Sequence, residues 1–536
     1  MNCHNISSGQ EKADRGPWCM YVLLFGVVAL AVIHRFLLLR TAPGWYADEG
    51  TDIDIATHWM RGEQRYFAIG QSTLIAARPP LFHILLAGLF STLGSDILTL
   101  RILTAGYGVL IVALLFILGR RMWGPNLALM AAAMYAIYPS SILYSRFGFL
   151  YNQVALLHLL LFYGLWRFIN DGNRWALAGG CLSVGLAMIT SVSSLPLVGF
   201  VVLVLLLKRR SALWGAIPLM ALIPALYGGW MMIQAPQAFL YDLNYIFFQR
   251  VAGESILKLL YLIWNYKQLM IANAWLPLGA LGLMLLNREQ SPVYTQAFFW
   301  YNVFVTVTTL PAVVDLGFHY VVPILPWVAV GMASFVMWAI PRLIALLENT
   351  YDRFYRQLPW AHKETKWNQT LKRQGRLWAV SLIFFWMLIS PFFAMGILPT
   401  LGLGSLTGPV KRVIITDVDH VERVAEYVNR HTVPDDVVLA PPHAAWMIES
   451  RAADFQQAVA YMGGETQNYP KQMDTGRFLF DCSVENARYA LLFDSWREWA
   501  GEKMPDVETA FQIIEAWPVV YQKGDWRVYA NPEKNR

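Results

Sequence analysis

Between Arg174 and Lys208 the chain carries no charged side chain. About 20 such residues suffice for a helix to cross the hydrocarbon core of a bilayer. Apolar runs recur at about 18–39, 98–119, 126–145, 150–168, 175–191, 194–207, 212–233, 271–286, 296–314, 319–340 and 377–398. Charged residues make up 15% of the chain, where a water-soluble protein carries about 25%. The pattern predicts a polytopic α-helical membrane protein with about eleven transmembrane helices. The first run lacks a small-residue cleavage pattern and reads as an uncleaved helix. The four cysteines are scattered, so no disulfide framework is implied.

Charge is divided unevenly. Residues 1–398 hold 28 Lys and Arg against 16 Asp and Glu, a balance of +12, while residues 399–536 hold 14 against 20, a balance of −6. The basic residues gather between spans, at Arg120-Arg121, Arg167 to Arg174, Lys208 to Arg210, Arg288 and Arg342 to Arg376. That distribution speaks for membrane orientation and against nucleic-acid binding. All of these connections fall on the cytoplasmic side if the short segment 81–94 does not span. It has about 14 apolar-leaning residues, follows Pro79-Pro80 and reads as a re-entrant or interfacial helix. Arg35 and Arg40, at the outer end of the first span, then read as snorkelling side chains. Two outer loops result, 40–97 and 234–270, the second alternating aromatics with Arg250, Lys258 and Lys267.

The membrane domain therefore covers 1–398, and 399–536 reads as a small α/β domain outside the membrane. There "DVDHVERVAEYVNRH" has helical periodicity, "DVVLAPP" and "ARYALLFD" read as strands, and "VVYQKGDWRVYANP" as a hairpin around Gly524-Asp525.

The first outer loop opens with "GWYADEGTDIDIATHWMRGE", which places Asp48, Glu49, Asp52 and Asp54 within seven residues. Asp52 and Asp54 are read first as the start of a helix, with Asp52 as its cap. "DID" also has the Asp-x-Asp form that can hold a divalent metal, so a metal cofactor is a second reading, with no cofactor assigned. Arg78, in "AARPPLFH", can bind a phosphate through two parallel hydrogen bonds, or simply neutralise interfacial lipid.

These features in this order resemble the membrane glycosyltransferases of the C-type fold (GT-C). Protein O-mannosyltransferases and the bacterial aminoarabinose transferases that modify lipid A belong there. The resemblance rests on "ADEG" (47–50), "IATHWMRGE" (55–63), "ARPPLFHILLAG" (77–88), "GRRMWG" (119–124), "YPSSILYSRFGFLYNQ" (138–153) and "HYVVPILPWVAVG" (319–331), spread over residues 18–340. It implies transfer of a sugar from a polyprenyl-phosphate donor to a lipid, glycan or protein acceptor, at the outer face and with inversion. It implies Asp48 as the base that takes the acceptor hydroxyl proton, a role a carboxylate fills when its surroundings raise its pKa. Glu49 would orient Asp48 or the acceptor. Arg78 would meet the leaving lipid phosphate, with Arg146 and Arg250 near the same face. Asn152 stands where relatives often carry Asp, and His319 stands where many carry Arg before Tyr320. All three of these positions fall where donor head group or phosphate would be read. The implied setting is a bacterial or archaeal plasma membrane, with the C-terminal domain outside the cytoplasm.

Two other readings compete. A lipid or glycan transporter would show paired repeats and ionisable residues buried mid-span, whereas the polar residues here gather in the outer loops. A non-catalytic glycan sensor would have no need of the Asp48, Glu49 and Arg78 grouping.

Overall fold

The computed structural model describes residues 16–71, 78–249, 275–286, 318–355 and 415–534. The described residues begin with helix α1 (Gly16–Phe36), and the loop 40–97 carries α2 (Ala47–Met60) and α3 (Leu81–Leu93). Then come α4 (Ile97–Met122), α5 (Pro125–Ile137), α6 (Pro139–Arg146), α7 (Tyr151–Asp171), α8 (Arg174–Met188) and α9 (Leu197–Lys208). Next are α10 (Leu213–Gln234), α11 (Pro236–Asn244), α12 (Trp275–Leu285) and α13 (Leu325–Tyr355).

Among the described residues four helices are long and apolar enough to cross a membrane, and a fifth if α5 and α6 count as one bent span. The runs expected at 296–314 and 377–398 lie outside the described residues, as do loop residues 250–270 and 356–376. The run at 126–145 is not one straight span. It breaks at Tyr138-Pro139 with a bend of 57°. Proline has no N–H to give the carbonyl four residues back, which here is that of Tyr135. Arg35 supplies the missing donors from α1, giving Nη2 to the Tyr135 carbonyl at 3.1 Å and Nη1 to that of Ala136 at 3.2 Å. Arg35 is therefore fully buried rather than snorkelling. Segment 81–94, in turn, forms only the 13-residue α3.

Residues 415–534 build a five-stranded mixed sheet in the order β6-β5-β7-β9-β8, from β5 (Val437–Leu439), β6 (Arg451–Ala453), β7 (Ala487–Phe493), β8 (Val519–Lys523) and β9 (Trp526–Ala530). The parallel pairs β5–β6 and β5–β7 lie on one side, and the hairpin β8–β9 turns at Gly524-Asp525 as its sequence suggests. Helices α14 (Val418–His431), α15 (Pro442–Ala445) and α16 (Phe455–Tyr461) cover it. Asp417 caps α14 by accepting from the Asp419 N–H at 2.9 Å.

Two apolar cores organise the molecule. One is built from the long helices. The other joins this sheet to the loop 40–97, so that Trp45, Ile53, Ile55, Phe67, Phe82 and Phe90 share a core with Val421, Val438 and Phe455. Main-chain pairing seals the joint. Strand β1 (Trp45–Tyr46) runs antiparallel to β4 (Ile415–Thr416), and the Leu479 N–H donates to the Ala68 carbonyl at 2.8 Å. The short hairpin of β2 (Arg65–Tyr66) and β3 (Ile69–Gly70) sits in the same joint.

Candidate active site

Helix α2 starts at Ala47, directly after Tyr46. Glu49, its third residue, folds back to accept the Tyr46 N–H at 3.1 Å, so a carboxylate does open the helix. Asp52 and Asp54 do not. Both lie inside α2 and are buried, which corrects the expectation that they start it. Helical geometry then sorts the cluster. Asp48 and Asp52 are four residues apart and share a face, while Glu49 is turned away from them.

The Asp48–Asp52 face meets Arg78, from the segment just before α3. Arg78 donates Nη2 to Asp48 Oδ1 at 2.9 Å and Nη1 to Asp52 Oδ1 at 2.5 Å. Two neighbouring carboxylates would repel, and the guanidinium between them removes that penalty. His83, one turn further along in α3, brings Nε2 to the same Asp52 oxygen at 2.8 Å. Because that oxygen accepts, Nε2 carries the hydrogen. Asp52 and His83 are fully enclosed, Arg78 is 13% exposed, and Asp48 is 35% exposed. Asp48 is thus the open end of a chain of charges that runs inward. Burial by itself would lower the Arg78 pKa, but Asp52 and Asp48 reverse this and hold it above the usual arginine value.

Aromatic hydroxyls wall this end. Tyr46 is pushed well above the usual tyrosine pKa, first by burial and then by Asp48, Tyr320 and Tyr144 nearby, with Arg78 partly offsetting them. Tyr151, at the start of α7, lies within electrostatic reach of Asp48 and Arg78 and hydrogen-bonds Tyr320. The Tyr151 and Tyr320 rings meet edge to face at 5.3 Å between centroids. Tyr320, from the 3-10 turn Phe318–Ile324, is therefore at the site.

Other residues expected at the site stand elsewhere. Glu49 neither orients Asp48 nor faces an acceptor. It is 1% exposed and paired with fully buried Arg101 of α4, which donates Nε and Nη2 to it at 2.7 Å each. The Gly148 N–H adds a further bond at 2.9 Å. Arg146 is not at an outer surface where a lipid phosphate could reach it. It is buried and donates to the carbonyls of His34, Leu37, Leu38 and Ala42, closing the C-terminal end of α1. Asn152 is buried in α7 and donates to the Tyr144 carbonyl at 2.8 Å. Arg250 lies outside the described residues, as does the side chain of His319, whose backbone belongs to the Phe318–Ile324 turn.

Asp52 and Asp54 do not converge as one ligand set. Asp54 Oδ2 accepts the Phe67 N–H at 2.8 Å, and its Oδ1 lies 3.4 Å from His58 Nδ1. Among the described residues no three His, Cys, Asp or Glu side chains are grouped to hold a metal ion.

Sequence reasoning missed Arg101, His83 and the role of Asp52. The four-residue spacing of Asp48 and Asp52 was the available signal for a shared cation. It likewise missed how the C-terminal region holds the strand that follows the site helix, and α11. Tyr66 donates its hydroxyl to Asp454 Oδ2 at 2.9 Å, and Gln457 donates to the Tyr66 carbonyl at 2.9 Å. Arg477 pairs with buried Asp242 of α11 at 3.2 Å.

No protein-family model matches the chain, and no curated protein matches it in sequence. Solved structures do share its fold. ArnT from Cupriavidus metallidurans bound to undecaprenyl phosphate is 13% identical and aligns over 96% of this chain and 98% of its own, with a TM-score of 0.61. The same enzyme in the apo state gives a TM-score of 0.56 at 13% identity, covering 97% of this chain and 98% of its own. The apo oligosaccharyltransferase of Archaeoglobus fulgidus gives 0.55 at 12% identity, covering 92% of this chain and 72% of its own. The chain thus has the C-type fold of polytopic membrane glycosyltransferases, as its ordered motifs suggest.

Proposed function

We propose that this protein is a glycosyltransferase that moves a sugar from a polyprenyl-phosphate donor to an acceptor hydroxyl. The transfer takes place at the extracytoplasmic membrane face, by a single displacement with inversion. The observation that carries the reading is the Asp48–Arg78 pair, a half-open carboxylate 2.9 Å from a sheltered guanidinium. It stands in a fold shared nearly end to end with an enzyme solved with undecaprenyl phosphate bound.

In the reaction the acceptor oxygen attacks the anomeric carbon while Asp48 takes its proton. The bond from that carbon to the phosphate oxygen breaks, and the electron pair leaves with the lipid phosphate. Arg78 meets the charge that builds there. Of the four carboxylates in α2, Asp48 alone is open enough to reach an acceptor. Tyr46, Tyr151 and Tyr320 offer hydroxyls to hold sugar or acceptor beside it.

The test is transfer from labelled polyprenyl-phosphate sugars in membranes, comparing wild type with Asp48→Asn. Loss of a general base lowers turnover by about 10²- to 10⁴-fold. Wild-type transfer that Asp48→Asn leaves unchanged would remove Asp48 as the base.

A further inference from the structure

Arg78 serves two carboxylates that differ in one respect. Asp48 is 35% exposed and Asp52 is sealed, so only the Asp48 contact is open to exchange with an incoming anion. Arg78 thus occupies an Asp48 oxygen that would otherwise be open to an acceptor hydroxyl, and an incoming anion can draw the guanidinium off it. Asp52 meanwhile takes two donors on one oxygen, Arg78 Nη1 and His83 Nε2, and is fixed from behind by a fully enclosed histidine. Its other oxygen, Oδ2, and His83 Nδ1 are buried and have no hydrogen-bond partner among the described residues.

Resting on the reading of Arg78 as the donor-phosphate ligand, we propose that Asp52, backed by His83, is a positioning residue. It holds Arg78 while the guanidinium exchanges Asp48 for the phosphate, so that Asp48 is released as base only once the donor is in place. No bond to carbon changes in this step. One charge-assisted hydrogen bond is traded for another of the same kind, from carboxylate to phosphate oxygen. Donor binding then precedes proton removal from the acceptor, and an empty site keeps Asp48 paired with Arg78.

The probe is undecaprenyl phosphate, titrated onto the full chain in nanodiscs. Asp48→Asn removes the group that competes for Arg78, and its affinity should rise about tenfold, or about 1.4 kcal/mol. Asp52→Ala removes the holder, and affinity should fall about tenfold. Asp52→Asn keeps an acceptor at the same place and should fall between Asp52→Ala and wild type; it also serves if the alanine variant does not fold. If the carboxylates merely repelled an anion, all three variants would bind more tightly, and the proposal would be overturned. An unchanged affinity in Asp48→Asn overturns it too. In an Arg78→Gln background the Asp52 effect should vanish, which a general structural role would not produce. If Arg78→Gln alone leaves affinity unchanged, Arg78 does not hold the phosphate, and the functional reading of that residue fails first. If Arg78→Gln weakens binding while the Asp48 and Asp52 variants move together, only the exchange fails.

Discussion

Asp48 and Glu49 are adjacent in the chain, and each carboxylate meets an arginine at hydrogen-bonding distance. On the Glu49 side everything is closed. Arg101 gives it two bonds, the Gly148 and Tyr46 N–H groups give it two more, and neither side chain is more than 1% exposed. On the Asp48 side the cation is tied inward to Asp52, which His83 holds in turn, and the carboxylate faces out. A buried pair whose bonds are all satisfied locks geometry, and breaking it is strongly unfavourable. A pair with one open member can rearrange when a ligand arrives. One helical step, about 100° of rotation, separates the two uses.

The largest stability effect that separates them comes from Glu49→Ala. It strands the buried Arg101 charge, and loss of one member of a buried pair destabilises by about 3–5 kcal/mol. Thermal unfolding of the purified protein reads this directly. Asp48→Ala should shift the same transition by less than about 1 kcal/mol, as expected for a partly exposed pair. Similar losses from both would erase the distinction between anchor and working carboxylate.

Part of this division was legible in the sequence. The order of acidic loop and Arg-Pro-Pro segment points to Asp48 and Arg78 as partners, and the structure joins them at 2.9 Å. Arg101 was not legible. A lone arginine in the second turn of an apolar helix reads as an interfacial anchor, and its partner lies 52 residues away. Arg35 and Arg146 misled in the same way. Both satisfy carbonyls left open where a helix breaks or ends, and only the three-dimensional path shows which carbonyls are open. Pro139 was a visible signal of one such break, masked by its position within an otherwise uninterrupted apolar run. The joint between the first outer loop and the C-terminal sheet lies further from view, since composition divides the chain near 398 while the shared core crosses that boundary.

Asp454 supplies a third case, a buried carboxylate that pairs with no cation among the described residues. Its partners are the Tyr66 hydroxyl and the Gln457 N–H. Burial pushes its pKa up to about 6, against the downward pull of those hydrogen bonds. An unfolded aspartate titrates near 3.9. Between about 4 and about 6 the folded protein holds more protons than the unfolded chain, so this group makes stability fall as pH rises through that window. Above it the contribution is level, lower by about 3 kcal/mol than at acid pH. Unfolding of wild type and Asp454→Asn, followed from pH 4 to pH 7, should differ by that slope, with the asparagine variant gaining relative stability as pH rises. Equal slopes would show that burial does not raise the Asp454 pKa in the fold.

The smallest effect tests whether the C-terminal sheet holds the helix that carries both pairs. Gly50 follows Glu49, and a Cβ there would lie 1.8 Å from the Pro442 carbonyl oxygen and 2.8 Å from Trp446 Cδ1. The first of these is backbone and cannot turn aside, so Gly50→Ala must push α2 away from α15. Overpacking of this kind destabilises by about 1–3 kcal/mol. Gly88, in α3, has nothing within 4 Å of the same added atom, and Gly88→Ala should be neutral or slightly stabilising. If the sheet sets the position of α2, Gly50→Ala also lowers affinity for undecaprenyl phosphate, although it touches neither Asp48 nor Arg78. Glu49 and Arg101 would then fix one side of the helix and Pro442 the other, so that Asp48 is presented to Arg78 from a fixed helix. Should Gly50→Ala lose stability and keep full affinity, the anchor at Glu49 is sufficient by itself, and the sheet only covers the loop.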